Sequence, residues 1–517
     1  MKRRVANARW MLVAAATLTI VLIAIDALAR PGGGNSYGGG GGGGGGGGYG
    51  GGGGYGGGGG GGGDNAAGAV LWLIVSDLPW PLKLLIVAGI VVAFIFKQRS
   101  DFRMRSWSSA AYTPVAPVAY TMPVAPRVPA RRRLEELTRF DPDFSVVLFE
   151  DFLYALYAHV HYGVAGGRVE RLSAYLAPDV IARLRVIRVA EVHTVIVGAL
   201  RFTSVRGLDG ASAQVEVDVE VESNVATVAA PGQPERTSYL LERWTLARRR
   251  DARSRPPARA RILACPGCGA PLDAVVSGTC THCKRVVSNG DFDWVVRHAQ
   301  VMQSEERGPM LTTEVEERGN DLPTVVDPQA QPRLAALARK DAFFQWPTFE
   351  ARVGLVFREF QQAWTERDLA RMRPYFTDAL FDTQRYWVEA YRTQGLVNRT
   401  DGAHIRMLEL ARVASDRWFD AVTVRLSATS ADYVVRDSDG KVVRGKPKRE
   451  RPYTEYWTFI RAAGRSAPPR TAPECPSCGA PLAIGMAGDC RYCKAKVTTG
   501  EFDWVLSRIE QDEAYVG

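Results

Sequence analysis

Apolar residues change their spacing several times along the chain, and each spacing predicts a different element. Residues 11–25 are almost wholly apolar, and a second apolar stretch covers 66–96 with breaks at Asp77, Pro79 and Pro81. Runs of this kind approach the roughly 20 residues that a membrane-crossing helix needs. From residue 136 the pattern becomes periodic. Phe149, Phe152, Leu153, Leu156 and Val160 recur at helical spacing, as do Phe349, Val353, Val356 and Phe360, so each set predicts an amphipathic helix with one buried stripe. Shorter helical patterns follow at 169–176 and 180–187, and again at 369–376 and 379–393. The period then falls to two. Val215, Val217, Val219 and Val221 alternate with Glu216, Asp218, Glu220 and Glu222, and Val422, Val424 and Leu426 alternate with Thr423, Arg425 and Ser427; both predict strands with one wet face. Asp439-Gly440 predicts a hairpin turn. Helices followed by antiparallel strands imply an α+β fold with helices on one face of a curled sheet.

The pattern is written twice. Asp141-Pro142-Asp143-Phe144 is echoed by Asp341-Ala342-Phe343-Phe344, Glu242-Arg243-Trp244-Thr245 by Glu455-Tyr456-Trp457-Thr458, and Asp291-Phe292-Asp293-Trp294 by Glu501-Phe502-Asp503-Trp504. The expected organisation is a signal peptide or first membrane helix at 1–29, a glycine-rich tract at 30–65, a transmembrane segment at 66–97 and a Pro/Ala-rich linker at 98–135. A first folded domain at 136–255 and a ribbon at 262–300 follow. After a linker at 301–336 come a second domain at 337–463 and a second ribbon at 472–510. Linker composition between the copies predicts units that could each fold alone.

Charge orients the membrane part. Lys97, Arg99, Arg103 and Arg105, then Arg127 and Arg131 to Arg133, follow the second apolar stretch, and positive loops stay on the cytoplasmic side. Cleavage after Ala29 leaves one span, and retention of residues 10–28 as a helix gives two. Both place the glycine tract, with Tyr37, Tyr49 and Tyr55 interspersed, outside and the carboxy-terminal domains in the cytoplasm. Much of the total of 53 glycines lies in that tract, which cannot bury apolar surface and reads as a flexible spacer.

All eight cysteines of the chain sit in two groups: Cys265, Cys268, Cys280 and Cys283, and Cys475, Cys478, Cys490 and Cys493. Two CxxC knuckles per group, separated by eleven residues, bring four thiolates to one tetrahedral ion, with Gly269 and Gly479 supplying the turn. Two structural zinc ions are expected. A filled coordination sphere leaves no site for water, and a cytoplasmic setting disfavours stable disulfides. His282 and Tyr492 read as bystanders, and Phe292, Trp294, Phe502 and Trp504 as packing that clamps each ribbon to its neighbour.

The chain resembles the Tim44-like family, named for the carboxy-terminal domain of a mitochondrial inner-membrane import subunit, especially its bacterial membrane-anchored members. The resemblance rests on Asp141-Pro142-Asp143-Phe144, on Gly395-Leu396-Val397-Asn398-Arg399, on Tyr453-Thr454-Glu455-Tyr456-Trp457-Thr458-Phe459, and on the glycine-rich tract before a span. It implies two cystatin-like or nuclear-transport-factor-two-like cone domains, each a bent sheet around helices enclosing a pocket, and a membrane tether that docks a protein client. Departures are a first copy without a counterpart of Gly395 to Arg399 and no long amino-terminal chaperone-binding region.

Catalysis is not expected. The six histidines are scattered, His159 and His161 fall on different faces of a helix, and no nucleophile elbow, phosphate loop or HExxH motif is present. The net charge of +10 leaves two alternatives. One is contact with anionic lipid or RNA through Arg248 to Arg261 or through Lys441, Arg444, Lys446, Lys448 and Arg449, although nucleic acid is not the expected partner. The other is a small ligand or acid–base chemistry in a cone pocket.

Overall fold

The computed structural model describes residues 129–260, 262–306, 320–470, 472–512, 515 and 517. The expected signal or first membrane helix, glycine tract and transmembrane segment, and all but the end of the Pro/Ala-rich linker, lie outside them. Among the described residues no helix is long and apolar enough to cross a membrane.

Two halves follow the same plan. The first runs from α1 (Ala130–Leu134) through α2 (Val146–Val164) and α3 (Pro178–Arg185) into β1 (Glu191–Arg206), β2 (Gln214–Val228) and β3 (Arg236–Arg249). After α4 (Pro257–Ala260) and a small hairpin of β4 (Val275–Val276) and β5 (Thr279–Cys280), β6 (Val295–Glu306) returns to pair with β3. The second half has α5 (Ala330–Lys340), α6 (Trp346–Glu366), α7 (Leu369–Met372) and α8 (Asp378–Thr393). Its strands are β7 (Leu396–Ser415), β8 (Phe419–Arg436), β9 (Val442–Ala462) and β10 (Val505–Gln511). The antiparallel sheets have the orders β1-β2-β3-β6 and β7-β8-β9-β10. Each ribbon is therefore nested between the third and fourth strands of its sheet. Where the sequence reading carries the first ribbon to residue 300, Val295 and Val296 are buried sheet residues paired with Ala247 and Leu246.

The helical and alternating patterns build the two cores. Phe149, Phe152, Leu153, Leu156 and Val160 of α2 are all buried in one cluster with Val215, Val217, Val219 and Val221 of β2. Phe349, Val353, Val356 and Phe360 of α6 share a second with Val422, Val424 and Leu426 of β8. Each such side chain contributes about 1.5–3 kcal/mol through burial. The turn at Asp439-Gly440 forms as expected: Gly440 has φ +67°, and Lys441 accepts from the Arg436 amide. The second sheet differs from expectation on its other face, for Thr423 and Arg425 are buried along with Val422 and Val424. Packed matter on that side removes the water that alternation predicts, and Arg425 is satisfied there by Asp512 at 2.8 Å.

Each half closes on a buried clasp made from the repeated motifs. Asp141 accepts from Arg248 at 2.7 Å and from the Ser254 hydroxyl and amide, while the Arg248 guanidinium lies 5.0 Å from the Trp294 ring centre. Asp341 likewise accepts from Arg461 and from Ser466, and Arg461 lies 4.5 Å from the centre of Trp504. One clasp thus joins the turn before the long helix, the end of the third strand and the start of the fourth.

The halves are also packed on one another. Glu150 of α2 is buried and accepts from Arg131 at 2.9 Å and from Arg508 of β10. Leu148 joins Phe419, Ile460 and Val505 in an apolar cluster, and the Trp418 indole donates to the Asp143 carbonyl at 2.8 Å. On a second front, Ile196 and Tyr239 of the first sheet enter the second core, and Thr383 of α8 donates to the Val197 carbonyl. The segment entering α5 is docked as well, since the Val325 amide donates to the Tyr456 hydroxyl. The halves form a joint body rather than beads on a linker.

Burial raises the Asp341 carboxyl, but hydrogen bonds from Arg461, the Phe343 amide and Ser466 outweigh it and hold it below its ordinary range. Burial likewise raises Glu150, and Arg131 and Arg508 more than reverse this. Folded values below unfolded values mean that both contributions are present above about pH 5 and are lost as pH falls through the acidic range. Asp341→Asn is expected to destabilise the chain by about 3 kcal/mol at pH 7, with a smaller difference from the parent at pH 3; urea melts at the two pH values measure both. Arg508→Met leaves the buried Glu150 carboxylate with Arg131 alone and is expected to cost about 2 kcal/mol, whereas Glu150→Gln combined with Arg508→Met costs less than the two single changes added together, as a double-mutant cycle reads.

Candidate metal centres and their docking to the sheets

Each cysteine group sits on two tight turns. In the first, the Cys265 amide donates to the Ala270 carbonyl and the Gly269 amide to the Cys265 carbonyl; in the second turn Cys280 and Lys284 repeat this with Arg285 and Cys280. Gly269 has φ +80°, and a side chain there would meet the Arg259 guanidinium at 2.8 Å. The second turn of each group takes the same left-handed conformation without glycine, at Lys284 (φ +59°) and Lys494 (φ +62°). Sequence reasoning assigned the turn geometry to Gly269 and Gly479 alone. A CxxC followed by any residue at the strained position is the signal that would have found the lysines.

The turns bring all four sulfurs of each group within 4.8 Å of one another. Cys265–Cys283 and Cys268–Cys280 are 3.9 and 3.8 Å apart, and Cys475–Cys493 and Cys478–Cys490 are 3.9 and 4.0 Å apart. A tetrahedral ion with metal–sulfur bonds of about 2.3 Å has sulfur–sulfur edges of about 3.8 Å, whereas a disulfide needs about 2.0 Å. The spacing fits an ion held by four thiolates. Burial pushes the Cys265 and Cys475 thiols up to about 12. The Cys283 amide draws Cys280 down to about 6, and the Ala495 amide does the same for Cys493. A dication would supply the charge that lets the buried pair ionise.

Buried polar contacts weld each group to its half. The Tyr175 hydroxyl donates to the Ala264 carbonyl at 2.5 Å, and Arg255 pairs with Asp293 at 2.7 Å. In the second half Arg373 donates to the Met486 carbonyl at 2.8 Å and pairs with Asp378, which also accepts from Lys496. Arg352 of α6 donates twice to the Trp504 carbonyl, at 3.1 and 2.9 Å. These arginines were not legible as functional residues, because nothing in local sequence says which carbonyl a long side chain reaches. Trp294 and Trp504 do clamp ribbon to fold, and they do so from inside the cores. Phe149 lies 4.6 Å from Trp294, and Phe349 lies 5.3 Å from Trp504, between ring centres. His282 and Tyr492 are exposed beside the ligands.

The histidines do not converge. His159 bonds the Ala155 carbonyl on the surface, His193 lies between Glu191 and Glu235, and His404 bonds the Gly402 carbonyl. His161 alone is drawn inward, 3.0 Å from Glu242 and with its ring tilted against Tyr157, whose hydroxyl meets Ser223 at 2.7 Å. The second half has Gln361 and Tyr453 in mutual contact. The family-like motif Gly395 to Arg399 has a structural purpose: Asn398 accepts from the Trp364 indole at 2.8 Å and donates to Asp432 at 2.7 Å, tying α6 to the sheet.

Residues 330–469 match the family described as the Tim44-like domain. The match spans the second half from α5 through β9 and stops before Cys475. No curated protein matches the chain. Among solved structures it is similar to an "Ntf2 like protein involved in plasmid conjugation", with 9% identity over 70% of this chain and 96% of that one and a TM-score of 0.16; so slight a likeness carries no argument about fold or function.

Each cysteine group is expected to hold its own ion. Cys490→Ser should leave one metal equivalent per chain in elemental analysis, and strong chelation should remove both and lower the melting temperature by more than 10 °C, since ribbon and fourth strand are then released together.

Proposed function

We propose that the chain is a membrane-tethered, non-enzymatic scaffold of the bacterial inner membrane whose tandem Tim44-like domains hold a protein client in the cytoplasm. The observation that carries this reading is the Tim44-like match over residues 330–469, set in a body whose halves each close on a buried charge pair and are joined by the pair of Glu150 with Arg508. The first half, built on the same order of helices and strands, is read as a diverged second cone. Residues 10–28 and 66–97 supply the anchor, and the glycine tract faces the exterior. Zinc is the ion assigned to both cysteine groups, because four thiolates in tetrahedral array select a soft-tolerant dication without redox chemistry. Two domains on one tether raise the local concentration of whatever they bind.

Lys446, Lys448 and Arg449, exposed on β9, favour a second reading in which the body touches an anionic membrane or RNA; such contact weakens steeply with salt. The deciding experiment is purification of the tagged full-length chain from membranes in mild detergent, with mass spectrometry of what accompanies it. One protein recurring near one-to-one and retained at 0.5 M salt is the expected outcome. Its absence in repeated preparations removes the scaffold reading, and loss of all partners with salt transfers support to the electrostatic one.

A further inference from the structure

The hairpin of β8 and β9 carries charge that the rest of the body does not balance. β10 pairs with β9 only from Glu455 to Ile460, so among the described residues no strand covers the outer side of β9 between Val442 and Arg451. That stretch also leaves its own ladder. Glu450 pairs with Ala431 and Gly445 with Tyr433, which makes Lys446, Pro447, Lys448 and Arg449 bow out opposite the single residue Asp432. Gly445 starts the excursion at φ +75°, where a side chain would meet the Asp432 carbonyl at 2.6 Å. Nearer the turn, Val442 and Val443 are 40% and 39% exposed.

Arg444, Lys446, Lys448 and Arg449 have no ion pair among the described residues, because the carboxylates of the hairpin are engaged elsewhere. Asp437 pairs with Arg367 and Asp439 with Arg436, each at 2.8 Å. Asp432 accepts from Asn398 at 2.7 Å, and Glu450 from Thr429 at 3.2 Å. Four like charges close together repel one another, and an anionic partner relieves that repulsion.

The neighbours of these cations select the partner. Lysines, prolines and a bulge keep a sheet edge from accepting another strand, which disfavours an acidic peptide added to β9. Tyr433 and Tyr453 are buried, so the hairpin offers bases no ring to stack on. Exposed valines beside cations match a bilayer interface, where apolar side chains enter the headgroup layer and basic ones stay among the phosphates.

We infer that the β8–β9 hairpin docks on an anionic bilayer surface, with Arg444, Lys446, Lys448 and Arg449 on lipid phosphates and Val442 and Val443 in the interfacial layer. The inference deepens the electrostatic reading of this strand, on which it rests, and turns this end of the second sheet toward the membrane.

The test uses the full-length chain with p-benzoylphenylalanine in place of Val443, reconstituted in nanodiscs of phosphatidylcholine alone or with about 30% phosphatidylglycerol. After irradiation, lipid adducts are read by mass spectrometry. They should be about fivefold more abundant with the anionic lipid and return to the neutral-disc level in about 0.5 M salt. Exchanging Lys446, Lys448 and Arg449 together for glutamine should act as salt does; should that variant fail to fold, the salt response of the parent decides alone. Equal labelling in the two kinds of disc overturns the inference, as does labelling of co-purified RNA or protein in place of lipid. The membrane-anchor reading fails separately: a chain without an anchor leaves the neutral discs on flotation, while its labelling on anionic discs persists.

Discussion

The contact on which the rest of each half depends is the buried pair between a turn aspartate and the arginine that ends the third strand, Asp141 with Arg248 and Asp341 with Arg461. Two charges taken out of water are tolerable only when further hydrogen bonds complete them. Here serines complete the carboxylates and indole faces cover the guanidiniums. The clasp therefore demands that four separate stretches of chain arrive together: the Asp-x-x-Phe turn, the strand end, the serine beyond it, and the tryptophan on entry to the fourth strand. Motifs that look unrelated along the chain are one object in space, and both halves contain it.

Packing between the halves extends the same logic across the repeat. Glu150 is neutralised by one arginine from its own half and one from the other, so neither half satisfies it alone. Apolar burial around Leu148 and Phe419 supplies the driving force, and the charge pairs set the register, because a slipped arrangement would strand charges in a dry interface. This arrangement gives a tandem chain what two independent modules lack, a fixed placing of one cysteine ribbon against the other.

Much of this was legible beforehand and some was not, for identifiable reasons. The long helices, the buried valine rows, the Asp439-Gly440 turn and the paired cysteines announce themselves through period or spacing, which local physics enforces. The fourth strands did not, because β6 alternates weakly and its residues 300–306 lie open to solvent on both faces, Val301 and Met302 included. The wet face expected of β8 was lost to a tertiary partner that no strand period encodes, and Thr423 and Arg425 kept their polar character because they bond to Thr458 and Asp512. In the cysteine groups the clustering of the thiols was evident from their spacing, whereas the docking arginines Arg352 and Arg373 looked like ordinary charged residues of amphipathic helices.

Nesting the ribbon between the third and fourth strands has a consequence for how the chain comes off the ribosome. Ala247 must find Val295, and Ile460 must find Val505, across long intervening loops whose closure entropy opposes pairing. An ion that ties the two knuckles shortens the loop that remains to be closed. Until it arrives, the third strand presents a bare hydrogen-bonding edge, which invites pairing with other chains. Where the thiolates hold an ion, as their spacing allows, prompt loading would let a nascent chain seal its own sheet, and a shortage would leave the edge of the third strand open to its neighbours.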